Sequence, residues 1–304
     1  MKSQALFETT EYVRPQLLIA PAPTQAGFQL TESDIQMIEY VYRLRMATVD
    51  HLSVLTNRAY KKVHGRLYKL IEKRYLARIE LPQQKHIYVI GREGIPRLVE
   101  RGIAPKEALD WRLRHHELKE LFLKHQLMVV DLHTILETAT APGPLRLAEW
   151  KEGRELWDSV TVVERNSRVA LPVRPDAFFT IEDTRRDPGS NRKHFFLEAD
   201  RSTTSHDRFQ KKVRAYWAYL EQGLQTKKYG IRSFRVVTTT LTQARAANLS
   251  DAARVVLPQS ARKYFLFTSV ENLPLQKPEQ IFQEIFLSPR EGPQDGRYSL
   301  LLNS

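Results

Sequence analysis

Three carboxylates are spaced for metal-assisted chemistry. Pro175-Asp176 opens one apolar run, and Glu198-Ala199-Asp200 ends the next. Side chains alternate along an extended strand, so Glu198 and Asp200 share a face and Ala199 takes the other. Two neighbouring strands bring Asp176 beside Glu198. Carboxylates gathered this way repel each other unless protons or a cation compensate. A divalent Mg²⁺ or Mn²⁺ is the natural compensator, and its chemistry on a phosphodiester is the activation of water. The same residues also have plainer uses. Asp176 after Pro175 can be a strand-end or turn residue. Glu198 and Asp200 can pair with Arg174 and Arg201 in a network that only holds the fold. The hydroxyls of Ser202, Thr203, Thr204 and Ser205 suit the cap of a following helix better than a nucleophile. Tyr216 and Tyr219 are present, but the HxH-type metal cluster that a tyrosine nucleophile of the relaxase kind would use is absent. His115 and His116 are adjacent, so a regular helix points them in different directions.

The elements that must position these residues read as an α/β unit. Leu145–Trp150, Ser159–Glu164, Pro175–Ile181 and His194–Ala199 are expected strands, the last with the continuous apolar run of a buried one. Asp183–Lys193 is a polar turn. A helix is expected over Ser205–Glu221, with Phe209, Val213, Tyr216, Trp217 and Leu220 on one side. A strand over Arg232–Thr239, a helix over Leu241–Val256 and a strand over Tyr264–Ser269 follow. A long helical stretch from Pro105 to about Ala139 precedes them and ends at Pro142-Gly143-Pro144. Helix, strands, helix, strand implies a sheet flanked by helices.

Residues 31–90 have a different texture. Thr31 can cap a helix whose apolar face is Ile35, Ile38, Val41 and Leu44. Thr48 can cap a short second helix, and Asn57 a third with Val63, Leu67, Leu70 and Ile71 turned inward. The other face of that third helix carries Arg58, Lys61, Lys62, Arg66, Lys69 and Lys73, with Tyr60 and His64 near its start. Two alternating runs, Leu76–Glu80 and His86–Ile90, are joined by Pro82-Gln83-Gln84-Lys85 and read as a hairpin. Three helices and a hairpin with the cations on the third helix describe a winged helix-turn-helix that reads duplex DNA. Arg58, Lys61, Lys62, His64, Arg66, Lys69 and Lys85 are the expected DNA contacts. A basic helix face is also a common solvated surface, and winged helices also serve as protein-interaction modules.

Two resemblances follow from these motifs. Pro-Asp on one strand, Glu-x-Asp on the next and a basic helix after it resemble the PD-(D/E)xK nuclease core. The resemblance implies Asp176, Glu198 and Asp200 as catalytic residues and metal ligands, with Glu117 as a further acidic ligand. The family's third position is lysine, and Asp200 stands there instead. Lys211 or Lys212, on the following helix, is then the implied replacement. Over roughly residues 30–270, LTESDIQMIEYVYRLRMATVDHL, RLRHHELKELF, VRPDAFF and FFLEADRSTTSHDRFQKKVRAYWAYL resemble the replication-relaxation family. That resemblance implies a protein of plasmids and mobile elements, acting in replication and relaxation of their DNA.

Composition sets the outer limits. The chain has 304 residues, a net charge of +12 and an isoelectric point near 9.8, so phosphate polyanions are its natural partners. It contains no cysteine, which excludes disulfides, thiol nucleophiles and cysteine-held zinc. The sequence holds no apolar run long enough for a membrane span and no signal-peptide core, and a cytoplasmic setting is expected. The organisation expected is a flexible arm over 1–30, the winged helix over 31–102, the PD-(D/E)xK-like α/β domain over 103–288 and a loose tail over 289–304. The expected partners are double-stranded DNA, replication or mobilisation proteins and a second copy in a homodimer. Two other functions remain open: a transcription regulator whose second domain dimerises or senses, and an active Mg²⁺-dependent endonuclease of defence or transposition.

Overall fold

The computed structural model describes residues 16–18, 28–81, 85–110, 120–164, 166–202, 204–289 and 296–301. It has mixed α and β architecture and divides into two compact units, Met1–Leu127 and Met128–Ser304.

The first unit opens with α1 (Glu32–Leu44). Thr31 caps it reciprocally: its hydroxyl accepts from the Asp34 amide, and the Asp34 carboxylate accepts from the Thr31 amide at 2.7 Å. Ile35, Ile38, Val41 and Leu44 are buried, as their spacing predicts. Thr48 caps α2 (Val49–Leu55) in the same way, with His51 Nδ1 accepting from the Thr48 amide at 3.0 Å. The third helix, α3 (Tyr60–Glu72), departs from expectation at its start. Its cap position is Ala59, with no side-chain bond, and Asn57 sits in the left-handed region at φ 50°. Asn57 therefore turns the chain between α2 and α3 instead of capping. Val63, Leu67 and Leu70 are buried, but Ile71 is only half-buried.

Strands β2 (Leu76–Glu80) and β3 (Ile87–Ile90) pair antiparallel, and α4 (Gly94–Glu100) follows. The arm expected over 1–30 is corrected at one place: Gln16–Leu18 form β1, which pairs with β2.

In the second unit five strands form one sheet. β4 (Leu145–Lys151), β7 (Ala177–Asp183) and β8 (Arg192–Asp200) are antiparallel neighbours. β9 (Arg235–Thr240) and β10 (Phe265–Ser269) continue parallel to β8, giving the order β10-β9-β8-β7-β4. The crossovers are α6 (His206–Glu221) with α7 (Leu224–Tyr229), and then α8 (Gln243–Val256). A separate hairpin of β5 (Asp158–Glu164) and β6 (Ser167–Val173) adds two strands, the second of which the sequence pattern did not announce.

The sheet is buried on both faces. On one, Phe178, Phe196, Val236 and Phe267 pack with Phe209, Val213 and Tyr216 of α6. On the other, Phe179, Phe195, Leu197 and Val237 pack with Met128, Leu132 and Leu136 of α5 (Glu120–Thr140). The tail expected to be loose closes this second face. β11 (Glu284–Phe286) pairs with β12 (Tyr298–Ser299), and Leu300 is fully buried.

Candidate functional site

Period-two alternation in β8 places Glu198 and Asp200 on the α6 and α8 side of the sheet, with Leu197 and Ala199 in the core on the α5 side. Both acids are buried, at 4% and 7% exposure. Asp176 stands just before β7. Its amide donates to Leu197 O at 3.0 Å, and its carboxylate accepts from the Ala199 amide at 2.8 Å. The expected juxtaposition of Asp176 with the end of β8 is thus present, through the backbone of β8.

Helix α6 supplies the compensating charge. Ser205 caps it, and Lys212 and Tyr216, one turn apart, reach the same carboxylate. Lys212 Nζ lies 2.5 Å from Glu198 Oε2, and the Tyr216 hydroxyl donates to Glu198 Oε1. Burial pushes the Glu198 carboxyl above its ordinary range, with Asp176 adding to the shift against the opposing pull of Lys212. Burial by itself would lower Lys212, but the charges of Glu198, Asp176 and Asp200 outweigh it and hold the ammonium above its usual value. Burial, then Glu198, raises Tyr216 well above its ordinary range, so the phenol stays protonated. Lys211 points outward and is exposed.

Asp200 has a separate partner. Arg245, in the first turn of α8, forks onto it with Nε at 3.0 Å and Nη2 at 3.3 Å, and Nη2 also donates to Thr204 O at 2.6 Å. The Ser202 amide donates to Asp200 at 2.8 Å. Arg174, considered from the sequence as a partner for these acids, instead lies 4.9 Å over the Trp157 ring. Sequence reasoning missed Arg245 and did not connect Tyr216 with Glu198. Arg245 lies 45 residues from Asp200 in the chain, within the helix expected over Leu241–Val256.

A divalent cation needs oxygen ligands that can turn toward it. Glu198 has an ammonium and a phenol on its two oxygens, Asp200 has a guanidinium across both of its own, and Asp176 has a backbone amide on one. Among the described residues no group of three or more His, Asp or Glu side chains is gathered to hold an ion. The residues as arranged therefore do not fit Mg²⁺ or Mn²⁺. Glu117 lies outside the described residues, as do His115 and His116.

In the first unit, the outer face of α3 carries Lys61, Lys62, His64 and Lys69, all exposed, and none of the three lysines has an ion pair among the described residues. Arg58, just ahead of the helix, donates to Ser33 Oγ. Lys85 is exposed and pairs with Asp50 at 2.5 Å. Arg66 departs from its expected role. Its guanidinium binds the buried Asp34 carboxylate, with Nε 2.5 Å from Oδ1, and it lies 4.7 Å over the Phe28 ring. Burial pushes Asp34 upward, but the bonds from Arg66 and Thr31 prevail and leave the carboxyl below its ordinary value. Arg66 therefore braces α3 against α1 through Asp34. Lys73, half-buried beside Glu72, also turns away from the outer face.

No curated protein and no solved structure matches the chain. A family model described as replication-relaxation does, over residues 38–234, a span that starts within α1, passes through Asp176, Glu198 and Lys212, and stops one residue before β9. That span is more than half of the chain, which therefore belongs to the replication-relaxation family.

Proposed function

We propose that the chain is a DNA-binding protein serving replication and relaxation of a plasmid or other mobile element, with the first unit acting as a winged helix on duplex DNA. The family assignment supports the setting. The observation that carries the DNA reading is the set of exposed lysines on α3 that have no ion pair among the described residues, while Arg66 on the same helix is committed to Asp34. A chain of net charge +12 adds a general attraction for phosphate. The second unit is read as a PD-(D/E)xK-like scaffold whose acids are neutralised by Lys212 and Arg245 and which adds interactions with the DNA backbone without cleavage.

Nicking is the second reading, and one observation favours it: Lys212 stands against Glu198 near Asp176, where a lysine migrated from the strand would stand. It requires Lys212 and Tyr216 to release Glu198 before Mg²⁺ or Mn²⁺ can bind.

Two measurements test the proposal together. Duplex binding is followed by anisotropy across a salt series for the native protein and for Lys61→Ala and Lys62→Ala. Each substitution is expected to weaken binding on every sequence and to lower the log–log salt slope by about one for each phosphate that is no longer neutralised. Binding without salt dependence would overturn the assignment of α3. Supercoiled plasmid is then incubated with Mg²⁺ or Mn²⁺ at protein concentrations that retard it. Unchanged plasmid is the expected result. Open-circle product that disappears in Asp176→Ala, in Glu198→Ala and with chelator would replace the scaffold reading with the nicking one.

A further inference from the structure

The outer face of α3 carries more than charge. Tyr60, His64 and Tyr68 lie four residues apart, so they form one stripe along the helix. All three are exposed, Tyr60 at 49% and Tyr68 at 68%. The Tyr60 and His64 rings are already parallel, 6.0 Å apart with 8° between their planes. Lys61 and Lys69 run beside them. Single exposed aromatics are ordinary on protein surfaces, but three in register, edged with lysines, are the composition of a surface that takes bases by their faces and phosphates by charge.

The stripe ends at a cleft of about 270 Å³, lined by Val49, Asp50, Tyr60, His64, Lys85 and His86. The Nδ1 atom of His86 is removed from solvent and has no hydrogen-bond partner.

Duplex DNA hides the faces of its bases and shows only their edges in the grooves. Aromatic faces are matched by unpaired bases. We propose that the Tyr60–His64–Tyr68 stripe is a stacking track for single-stranded DNA. This inference rests on the DNA-binding reading of α3 and adds to duplex the unpaired strands that relaxation and replication expose.

The test uses the full chain and three labelled probes of one length at matched salt: a mixed-sequence single strand, the same strand annealed to its complement, and an abasic strand carrying the same phosphates. Tyr60→Ala and Tyr68→Ala are each expected to lower single-strand affinity about fivefold or more. Duplex and abasic binding should stay within about twofold of the native protein. Tyr68→Phe, which keeps the ring, should bind the single strand like the native protein. Both substituted side chains are exposed, so folding is preserved, and circular dichroism checks this. Equal losses on all three probes, or none on the single strand, would overturn the track. If Lys62→Ala still weakens duplex binding in that case, the DNA reading survives alone. Failure of the native protein to bind any probe overturns both.

Discussion

Glu198 is almost fully removed from water and depends on two partners to remain so, an ammonium and a phenol. Removing one partner of a buried pair leaves the other charge uncompensated. Lys212→Met, which keeps most of the aliphatic stem, is expected to destabilise the protein at neutral pH by about 1–3 kcal/mol. That is below the 3–5 kcal/mol typical of fully buried pairs because Lys212 is 38% exposed. The pH dependence gives the cause. Glu198 has a folded pKa raised above 4.5, chiefly by burial, so its protonated form favours folding. That contribution is complete below 4.5 and is lost as pH rises through the folded value. The defect of Lys212→Met should therefore shrink between pH 7.5 and pH 5, as read by urea unfolding at each pH. An equal defect at both would mean that Lys212 acts by packing alone. Lys212 entered the sequence reading only through the resemblance to the nuclease core, as one of two candidates beside Lys211; the structure turns Lys212 to Glu198 and leaves Lys211 exposed. Arg245 was not legible from the sequence, because its pairing with Asp200 depends on the start of α8, which lies beyond both α6–α7 and β9.

At the scale of elements, what could be read in advance was what is local. Thr31 and Thr48 close their helices through bonds spanning three residues, and the helical spacing of apolar residues in α1 marks its buried face. Asn57 shows the limit: the same residue type serves as a cap or as a left-handed turn, and nothing within a few residues decides between them. β6 was missed although Val169, Leu171 and Val173 alternate inward: the strand pairs with β5 in a separate hairpin and carries Pro172, a residue that argues against a strand. Gly65 gives the element-scale prediction. It lies mid-helix in α3, where glycine costs about 1 kcal/mol relative to alanine, and a Cβ there would meet nothing within 4 Å. No packing requirement accounts for that cost; on the proposed reading of α3, close approach of a nucleic-acid backbone would. Gly65→Ala should raise the melting temperature while weakening DNA binding, as measured on the same preparation by thermal unfolding and anisotropy. A more stable variant with unchanged affinity would take Gly65 out of the interface.

For the molecule as a whole, residues far apart in the chain complete the second unit. Arg235 Nη1 donates to Leu300 O at 3.1 Å and Lys193 Nζ donates to Leu301 O, so the segment after β11 is tied to β9 and β8. Leu300→Ala should cost about 2–5 kcal/mol, the range for a buried leucine. Tryptophan fluorescence follows it well, since three of the four tryptophans (Trp150, Trp157 and Trp217) belong to this unit. An unaltered urea midpoint would return the segment to the loose tail that its polar composition suggested. β8 lies where the antiparallel and parallel halves of the sheet meet, with Glu198 and Asp200 on one side and Phe195, Leu197 and Ala199 in the core on the other. A pairing error of one residue would drive Glu198 and Asp200 into the hydrocarbon beneath α5 and set Leu197 and Ala199 against Lys212 and Arg245. A strand slipped in this way strands two acids and two bases without counter-charges, so the acids of β8 proofread the assembly of the sheet whether or not they ever meet a substrate.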